Sequence, residues 1–290
     1  MLLHHQKKTI DFGIIILTIL FALFGIVMIY EASNVVAFQQ FGDKYRFVKD
    51  QFVWFLLGIA GLGITSSFSY KRYHKFAVPL LLFSLFTLIA VFIPGIGIRA
   101  SGASRWVGFG SFNFQPSELT KLVLILYLSS WLSNKEKNRF FAFFLLFLLI
   151  VGLVVLQPDL GTAIILTIIF IVLYFLSGAP LWHFLLILPI TISGVLGLAV
   201  ISPYRSQRLL TFFNPNIDPL GISYHIRQIL ISFGSGGLFG LGLGASRQKY
   251  QFLPAVTTDS IFAIIGEEFG FIGALFFILF YCIYLFRIYQ

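Results

Sequence analysis

Charged residues are scarce in this sequence. Only 11% of its 290 residues are charged, whereas 58% are hydrophobic, and a soluble domain is about half apolar and about a quarter charged. This shortage excludes an ordinary soluble globular domain. The mean hydropathy of +0.94 agrees, and several apolar runs approach or exceed the ~20 residues that cross a bilayer as a helix. We therefore predict a polytopic helical membrane protein.

Cysteine is almost absent as well. The single Cys282 lies in an apolar run, which excludes a disulfide framework and a CxxC metal site. A basic tail is also lacking, because the cations behind the net charge of +9 are spread along loops. We therefore expect no nucleic-acid partner, and the sequence shows no evident cofactor motif. The first apolar run has no small-residue cleavage site after it, so we predict a retained helix.

Eight apolar segments predict an all-α protein of about eight transmembrane helices in one domain, 1–290. A long polar stretch, 203–260, separates the seventh helix from the eighth and is predicted to be an extracytoplasmic loop. The predicted helices are 12–30, 52–68, 76–95, 118–133, 140–156, 160–177, 182–202 and 261–286.

The short loops set the predicted orientation, because cytoplasmic loops of membrane proteins are enriched in lysine and arginine. Most such cations fall on one side if the helices alternate, and only the loop between the first two helices breaks the pattern. With this orientation 96–117, 157–159 and 203–260 all lie on the outer face. This clustering predicts an extracytoplasmic site.

The polar stretch 203–260 is basic and rich in glycine. Arg205 and Arg208 stand three residues apart, so a short helix would place both on one side. Arginine forks suit phosphate oxygens, although such a pair also suits lipid headgroups at the interface. Together with Arg247 and Lys249 they predict a site for an anionic substrate.

Three carboxylates close this region. Asp259 lies at the mouth of the last helix, where it is either a cap of that helix or a general base within reach of a substrate proton. Glu267 and Glu268 lie deeper in an otherwise apolar helix. Ionisable groups there indicate function by default, and the plainer alternative is bonding to polar groups of a neighbouring helix.

Glycine is concentrated between Gly234 and Gly244, with six glycines in eleven residues. A glycine-rich turn can present backbone N–H groups to phosphate. It can also form a tight re-entrant hairpin, since glycine lets two backbones approach closely. The segment is not a Walker A loop, because it lacks the G-K-[ST] ending.

Two earlier motifs carry further charges. R-W-V-G-F-G-S-F-N-F-Q-P-S-E-L-T-K begins at Arg105 and contains Glu118 and Lys121, which share a helix face and can pair. Q-P-D-L-G-T-A places Asp159 after a proline at a helix N-terminus, where an N-cap is the simplest function. We predict that these four residues, with Glu267 and Glu268, are structural or line a functional cavity.

Taken together these motifs resemble the SEDS family, the bacterial shape, elongation, division and sporulation proteins. The matching pieces are R-W-x-x-x-G, Q-P-S-E-x-x-K, Q-P-D-L-G-T, Y-R-x-x-R, I-x-F-G-S-G-G-L-F-G-x-G-L-G, S-R-Q-K-x-x-F-L-P and T-D-S-I-F-A-I-I-G-E-E-x-G-x-I-G. They follow the family's order from Arg105 onward. S-R-Q-K-Y-Q-F-L-P and I-I-G-E-E are more similar to the FtsW division branch than to RodA.

The resemblance implies a peptidoglycan glycosyltransferase that polymerises lipid II on the outer face of the cytoplasmic membrane. It also implies that Asp259 is the catalytic aspartate of the P-E-x-H-T-D-F segment. This sequence departs from that segment with Ala255, Thr257 and Ser260 in place of Glu, His and Phe. The family has ten spanning helices, so we expect its last two to be absent from this chain.

The implied chemistry gives each predicted site residue a function. Asp259 would take the proton from an attacking sugar 4-hydroxyl, while Arg205, Arg208, Arg247 and Lys249 would bind the diphosphates. A divalent cation could share that task, although the sequence shows no complete set of metal ligands. The resemblance also implies a class B penicillin-binding protein as partner. The alternatives are a lipid II flippase and a non-catalytic scaffold for such a partner.

Overall fold

The structure is a computed structural model that describes most of the chain. The described residues are 11–100, 103–109, 112–134, 139–201, 206, 211, 221, 223–250, 253–254 and 258–290. They form two compact units: the terminal unit, Met1–Thr65 with Pro203–Gln290, and the central unit, Ser66–Ser202. The expectation of a single membrane domain stays a prediction.

Helices dominate the described residues, and short strands interrupt them once. In chain order the elements are α1 (Phe12–Phe41), α2 (Arg46–Ser67), α3 (Tyr70–Ala90), β1 (Gly97–Ala100), β2 (Ala103–Phe109), β3 (Phe112–Phe114), α4 (Pro116–Leu132), α5 (Phe140–Leu156), α6 (Leu160–Leu176), α7 (Leu181–Ile201), α8 (Tyr224–Gly236) and α9 (Ile261–Tyr289).

Each of the eight predicted segments coincides with a helix, namely α1 to α7 and α9, which confirms the all-α class. The largest difference in bounds is in α1, which ends at Phe41 instead of residue 30. Polar Glu31, Ser33 and Asn34 suggested an end there, but helical hydrogen bonding continues to Gly42. That glycine has a φ of 69° and its N–H bonds to the carbonyl of Phe38, a common C-terminal stop.

Two predicted loops contain regular structure that the sequence pattern did not indicate. The three strands form an antiparallel sheet in the order β1-β2-β3, in which Ile98 pairs with Trp106 and Val107 with Phe114. The predicted long loop 203–260 contains α8.

Helix length and composition agree with a multi-pass membrane protein. Among the described residues, α1, α2, α3 and α9 are long and apolar enough to cross a bilayer. The apolar helices α5 and α6 are shorter, at 17 residues each, or about 25 Å at ~1.5 Å per residue.

The central unit is built around a buried apolar core. Helix α4 packs on α3 and α6, and α5 packs on α6. Pro116 starts α4 at its first position, where a proline loses no hydrogen bond. The fully buried side chains of this core include Leu88, Leu124, Leu128, Ile150, Leu166 and Phe170.

In the terminal unit α9 packs against α8 and α1. A smaller buried cluster, which includes Met28, Ala32, Ala263 and Ile264, joins α1 to α9. Near the other end of α9, Thr18 and Tyr284 share a hydrogen bond of 2.9 Å between their hydroxyl oxygens. These contacts hold α9 against α1 near both of its ends, and the candidate site begins at the N-terminal one.

Candidate functional site

Helix α9 is broken in its N-terminal half. Gly270 has a φ of 69° and a ψ of −172°, which no helical residue adopts. In a regular helix the carbonyls of Glu267 and Glu268 would accept from the N–H groups of Phe271 and Ile272. Here the segment 237–242 supplies the partners instead. Such a break is tolerated in a membrane protein only where protein or a water-filled cavity satisfies the backbone.

Four backbone hydrogen bonds join the segment 237–242 to the broken turn of α9. The N–H groups of Leu241 and Gly242 each donate over 3.0 Å, to the carbonyls of Glu267 and Glu268 respectively. In return Phe271 donates to the carbonyl of Gly237 over 2.9 Å, and the next residue donates to the carbonyl of Leu238 over 3.1 Å. Segment 237–242 thus replaces one turn of the helix.

Gly236 and Gly240 are required by this close approach. A Cβ on Gly240 would lie 2.2 Å from the carbonyl oxygen of Glu268, and one on Gly236 would lie 2.1 Å from that of Gly266. The N–H groups of Leu241 and Gly242 are used in the helix break and are not free to bind phosphate. Of the two interpretations of the glycine segment, the structure supports the tight hairpin.

A buried charge cluster lies beside this crossing, and we define it as Glu31, Ser246, Lys249, Glu267 and Glu268. The Lys249 ammonium lies 3.3 Å from Glu31 Oε2 and 3.4 Å from Glu268 Oε1. The Ser246 hydroxyl donates to Glu267 Oε2 over 2.5 Å. All but Glu31 are at most 2% exposed. The cluster ties α1, the loop after α8 and α9 together.

This placement decides between the two interpretations of Glu267 and Glu268. Both carboxylates bond to protein groups, since Glu267 also accepts from the Arg247 N–H over 3.0 Å and Glu268 from the Ser246 N–H over 3.4 Å. They are structural residues of the terminal unit. Lys249, predicted to bind diphosphate, is sequestered in the same cluster, and its burial does not favour that function.

Asp259 lies just before α9 and is exposed to solvent. The N-cap of α9 is Ser260, without a side-chain cap bond, so the interpretation of Asp259 as a helix cap was wrong. Among the described residues no group hydrogen bonds to or forms an ion pair with the Asp259 carboxylate. It is therefore available to a substrate.

The residue after Asp259 is held from two sides. The Ser260 hydroxyl is 1% exposed and donates to the carbonyl of Pro254 over 2.8 Å. His225 of α8 lies with Nε2 2.7 Å from the same oxygen. These bonds attach the segment that carries Asp259 to α8.

The predicted phosphate-binding cations differ in exposure and in whether the structure describes them. The Arg247 side chain is exposed, and no described residue pairs with its guanidinium. Arg205 and Arg208 lie outside the described residues. Arg247 is thus the predicted phosphate-binding cation whose placement suits a surface ligand.

In the central unit the two charged motifs meet. Arg105 of β2 donates to the carbonyl of Pro158 over 2.5 Å, and Gln115 donates through Nε2 to Asp159 Oδ2 over 3.1 Å. Asp159 caps α6 as predicted, with Oδ1 3.3 Å from the N–H of Thr162, and it is 8% exposed. Arg105 and Asp159 therefore join the sheet to the turn between α5 and α6.

Glu118 and Lys121 form the predicted ion pair on α4. Glu118 Oε1 lies 2.7 Å from Lys121 Nζ, with the two side chains 58% and 24% exposed. The pair is accessible at the start of α4, next to the turn that Gln115 and Asp159 organise. It supports the prediction of a structural pair.

Sequence reasoning missed Glu31, Ser246, Gln115 and His225. Glu31 had a signal, because it is the only charged residue in the whole of α1 and a lone charge in an apolar helix requires a partner. The other three had none, since their functions arise from contacts distant in sequence. No group of acidic, histidine or cysteine side chains suited to a metal occurs among the described residues.

Comparison with known proteins places this geometry in a family. The family model described as cell cycle protein, which covers FtsW, RodA and SpoVE, matches residues 12–290. The chain belongs to this family. It is 39% identical over 282 residues to the probable peptidoglycan glycosyltransferase FtsW of Trichlorobacter lovleyi, which covers 94% of this chain and 74% of that protein.

Two further relatives agree. The stage V sporulation protein E of Bacillus subtilis is 38% identical over 288 residues, covering 97% of this chain and 79% of that protein. A solved structure of a peptidoglycan synthase complex that coordinates polymerization and crosslinking contains a similar chain. Its TM-score is 0.71 at 27% identity, covering 97% of this chain and 77% of that one.

These relatives confirm three predictions. The chain is a SEDS protein with an all-α, multi-pass membrane fold, and its class is a peptidoglycan glycosyltransferase of cell division or cell shape. The relatives carry both FtsW and sporulation names, so assignment to the FtsW branch stays a prediction.

Proposed function

We propose that this chain polymerises lipid II into glycan strands on the outer face of the bacterial cytoplasmic membrane, with Asp259 as the general base. The observation that carries this proposal is the state of Asp259. It is exposed and unpaired among the described residues, whereas Glu267 and Glu268 in the same region are buried and bonded.

The proposed reaction is a single displacement. The 4-hydroxyl of one sugar attacks the anomeric carbon of another and forms the new glycosidic C–O bond, while the bond from that carbon to the diphosphate breaks. Asp259 takes the proton of the attacking hydroxyl, and the polyprenyl diphosphate leaves with the electron pair. One displacement inverts the anomeric configuration from α to β.

The leaving diphosphate carries negative charge that a fixed cation stabilises. Arg247 is positioned for this function, because its guanidinium is exposed and unpaired among the described residues. Arg205 and Arg208 remain candidates for the same function. A divalent cation stays a further candidate for neutralising the diphosphate.

The partner we propose is a class B penicillin-binding protein that supplies the peptide cross-links. The similarity to a chain of a complex that coordinates polymerization and crosslinking supports this pairing. The flippase alternative depended on Glu267 and Glu268 lining a transport cavity. Their burial in a bonded cluster removes that support.

The test is polymerisation of labelled lipid II by the purified protein, with and without its candidate partner. We expect long strands from the wild type and a loss of at least about a hundredfold in Asp259→Asn, since general bases typically contribute this much or more. Asp50→Asn is the matched control, because Asp50 is an exposed carboxylate elsewhere, with its side chain 56% exposed. Strand formation by Asp259→Asn at the wild-type rate would exclude Asp259 as the base.

A further inference from the structure

The contacts around Ser260 link His225 to Pro254. The Ser260 hydroxyl donates to the carbonyl of Pro254 over 2.8 Å, because a carbonyl can only accept. His225 Nε2 lies 2.7 Å from the same serine oxygen, so one hydroxyl is hydrogen bonded to both residues.

This hydrogen-bonded chain runs through the segment that bears Asp259. It starts on α8 at His225, passes through Ser260 and ends at Pro254, so it fixes the backbone at Pro254 and at Ser260. Ser260 is 1% exposed, and buried hydrogen bonds are the ones whose loss leaves a group unsatisfied. Since no described residue holds the Asp259 carboxylate itself, its direction depends on the backbone that this chain fixes.

We infer that His225 is a positioning residue, which sets the orientation of Asp259 through its hydrogen bond to Ser260. It does not touch the reacting atoms. The inference rests on the proposed function for its effect on turnover, while its effect on the segment 254–260 is independent of activity. The hydrogen bonds His225–Ser260–Pro254 would hold Asp259 in its reactive orientation before the substrate binds, which reduces the reorganisation that the reaction requires.

The first experiment measures hydrogen exchange in the purified wild type, His225→Leu and His225→Gln. Leucine removes the hydrogen-bonding group, whereas the glutamine amide keeps one. We expect exchange of backbone amides in 258–263 to rise about tenfold in His225→Leu, as for the loss of one buried hydrogen bond. His225→Gln should restore most of the protection. Unchanged exchange in His225→Leu would overturn the inference.

The second experiment measures lipid II polymerisation by the same variants. We expect kcat of His225→Leu to fall about tenfold with KM within about twofold of wild type, because a misplaced base affects the transition state more than binding. In a Ser260→Ala background, His225→Leu should cause no further loss, since the bond that it removes is already absent. Additive losses, or a full loss that His225→Gln does not recover, would contradict the coupling.

A matched control exists in the central unit. His74 also contacts a serine hydroxyl at 2.7 Å, that of Ser130, and lies outside the site. His74→Leu should leave kcat and the exchange of 258–263 at wild-type values. If the wild type itself makes no strands, the proposed function is contradicted, whereas the exchange result still decides the inference about His225.

Discussion

Asp259 and Glu267 stand eight residues apart in the sequence, and the structure places their carboxylates in opposite situations. Asp259 is exposed, without a partner among the described residues. Glu267 is 1% exposed and accepts from a serine hydroxyl and a backbone N–H. The comparison shows that a carboxylate near a membrane helix indicates function only after its partners have been identified.

The buried charge cluster shows why the position of an ionisable group within an apolar helix is not by itself evidence of a functional site. An ionisable group in an apolar helix is treated as functional by default, and Glu267 and Glu268 meet that criterion. Each has at least one protein partner, and Glu268 Oε2 is buried without one among the described residues. Asp259 and Arg247, which have no side-chain partner among the described residues, are the groups that we propose for the substrate.

The largest expected effect follows from breaking the cluster. Lys249→Met leaves Glu31 and Glu268 without their buried cation, and the loss of one partner of a buried pair costs about 3–5 kcal/mol. We expect a large fall in the thermal unfolding midpoint of the protein in detergent micelles.

The matched control for that change is Lys49→Met. Lys49 pairs with Asp43 at 2.6 Å, but its side chain is 67% exposed, and exposed pairs contribute about 0–1 kcal/mol. Adding Glu268→Gln to Lys249→Met should recover part of the lost stability, since it removes one of the unpaired charges. Equal midpoints for the two lysine variants would contradict the buried cluster.

The next effect concerns the backbone crossing beside the cluster. Gly240→Ala places a methyl group 2.2 Å from a carbonyl oxygen at a residue with a φ of 82°, and strain of this kind costs about 1–3 kcal/mol. Gly234→Ala is the control, because no atom lies within 4 Å of its added Cβ. Unfolding in detergent should separate the two variants. A Gly240→Ala protein as stable as Gly234→Ala would mean that the backbones do not cross this closely.

The smallest effect is expected in the central unit. Glu118→Gln breaks an ion pair whose acidic side chain is 58% exposed, so the unfolding free energy should fall by less than about 1 kcal/mol. A large loss of lipid II polymerisation by this variant, with an unchanged unfolding midpoint, would show that the pair contacts substrate and is not merely structural.

The positions of the long helices could be predicted from apolar runs, because bilayer thickness fixes their length. The end of α1 could not be predicted, since a charged residue such as Glu31 indicates the end of an apolar helix unless its contact with Lys249 is known. The strands at 97–114 escaped prediction because glycine and aromatic residues there show no regular alternation. The local sequence pattern thus predicted the helices, and it did not predict the features that depend on contacts distant in the sequence.

The site was predictable to the extent that its chemistry is local. The Asp159 cap and the Glu118–Lys121 pair each depend on residues three apart, so spacing revealed them. His225 and Ser260 are separated by 35 positions, and only the packing of α8 on α9 brings them together. The same holds for Lys249, whose charge suggested a ligand until its burial was seen.

The exchange of backbone partners between 237–242 and 267–272 has a consequence for insertions and deletions. Both segments contribute two donors and two acceptors in matched order, and the glycines must fall where the chains touch. A single inserted residue in either segment would shift every following bond out of alignment and put a side chain at a contact point. Lengths of these two segments are therefore fixed jointly, and change in one requires compensation in the other.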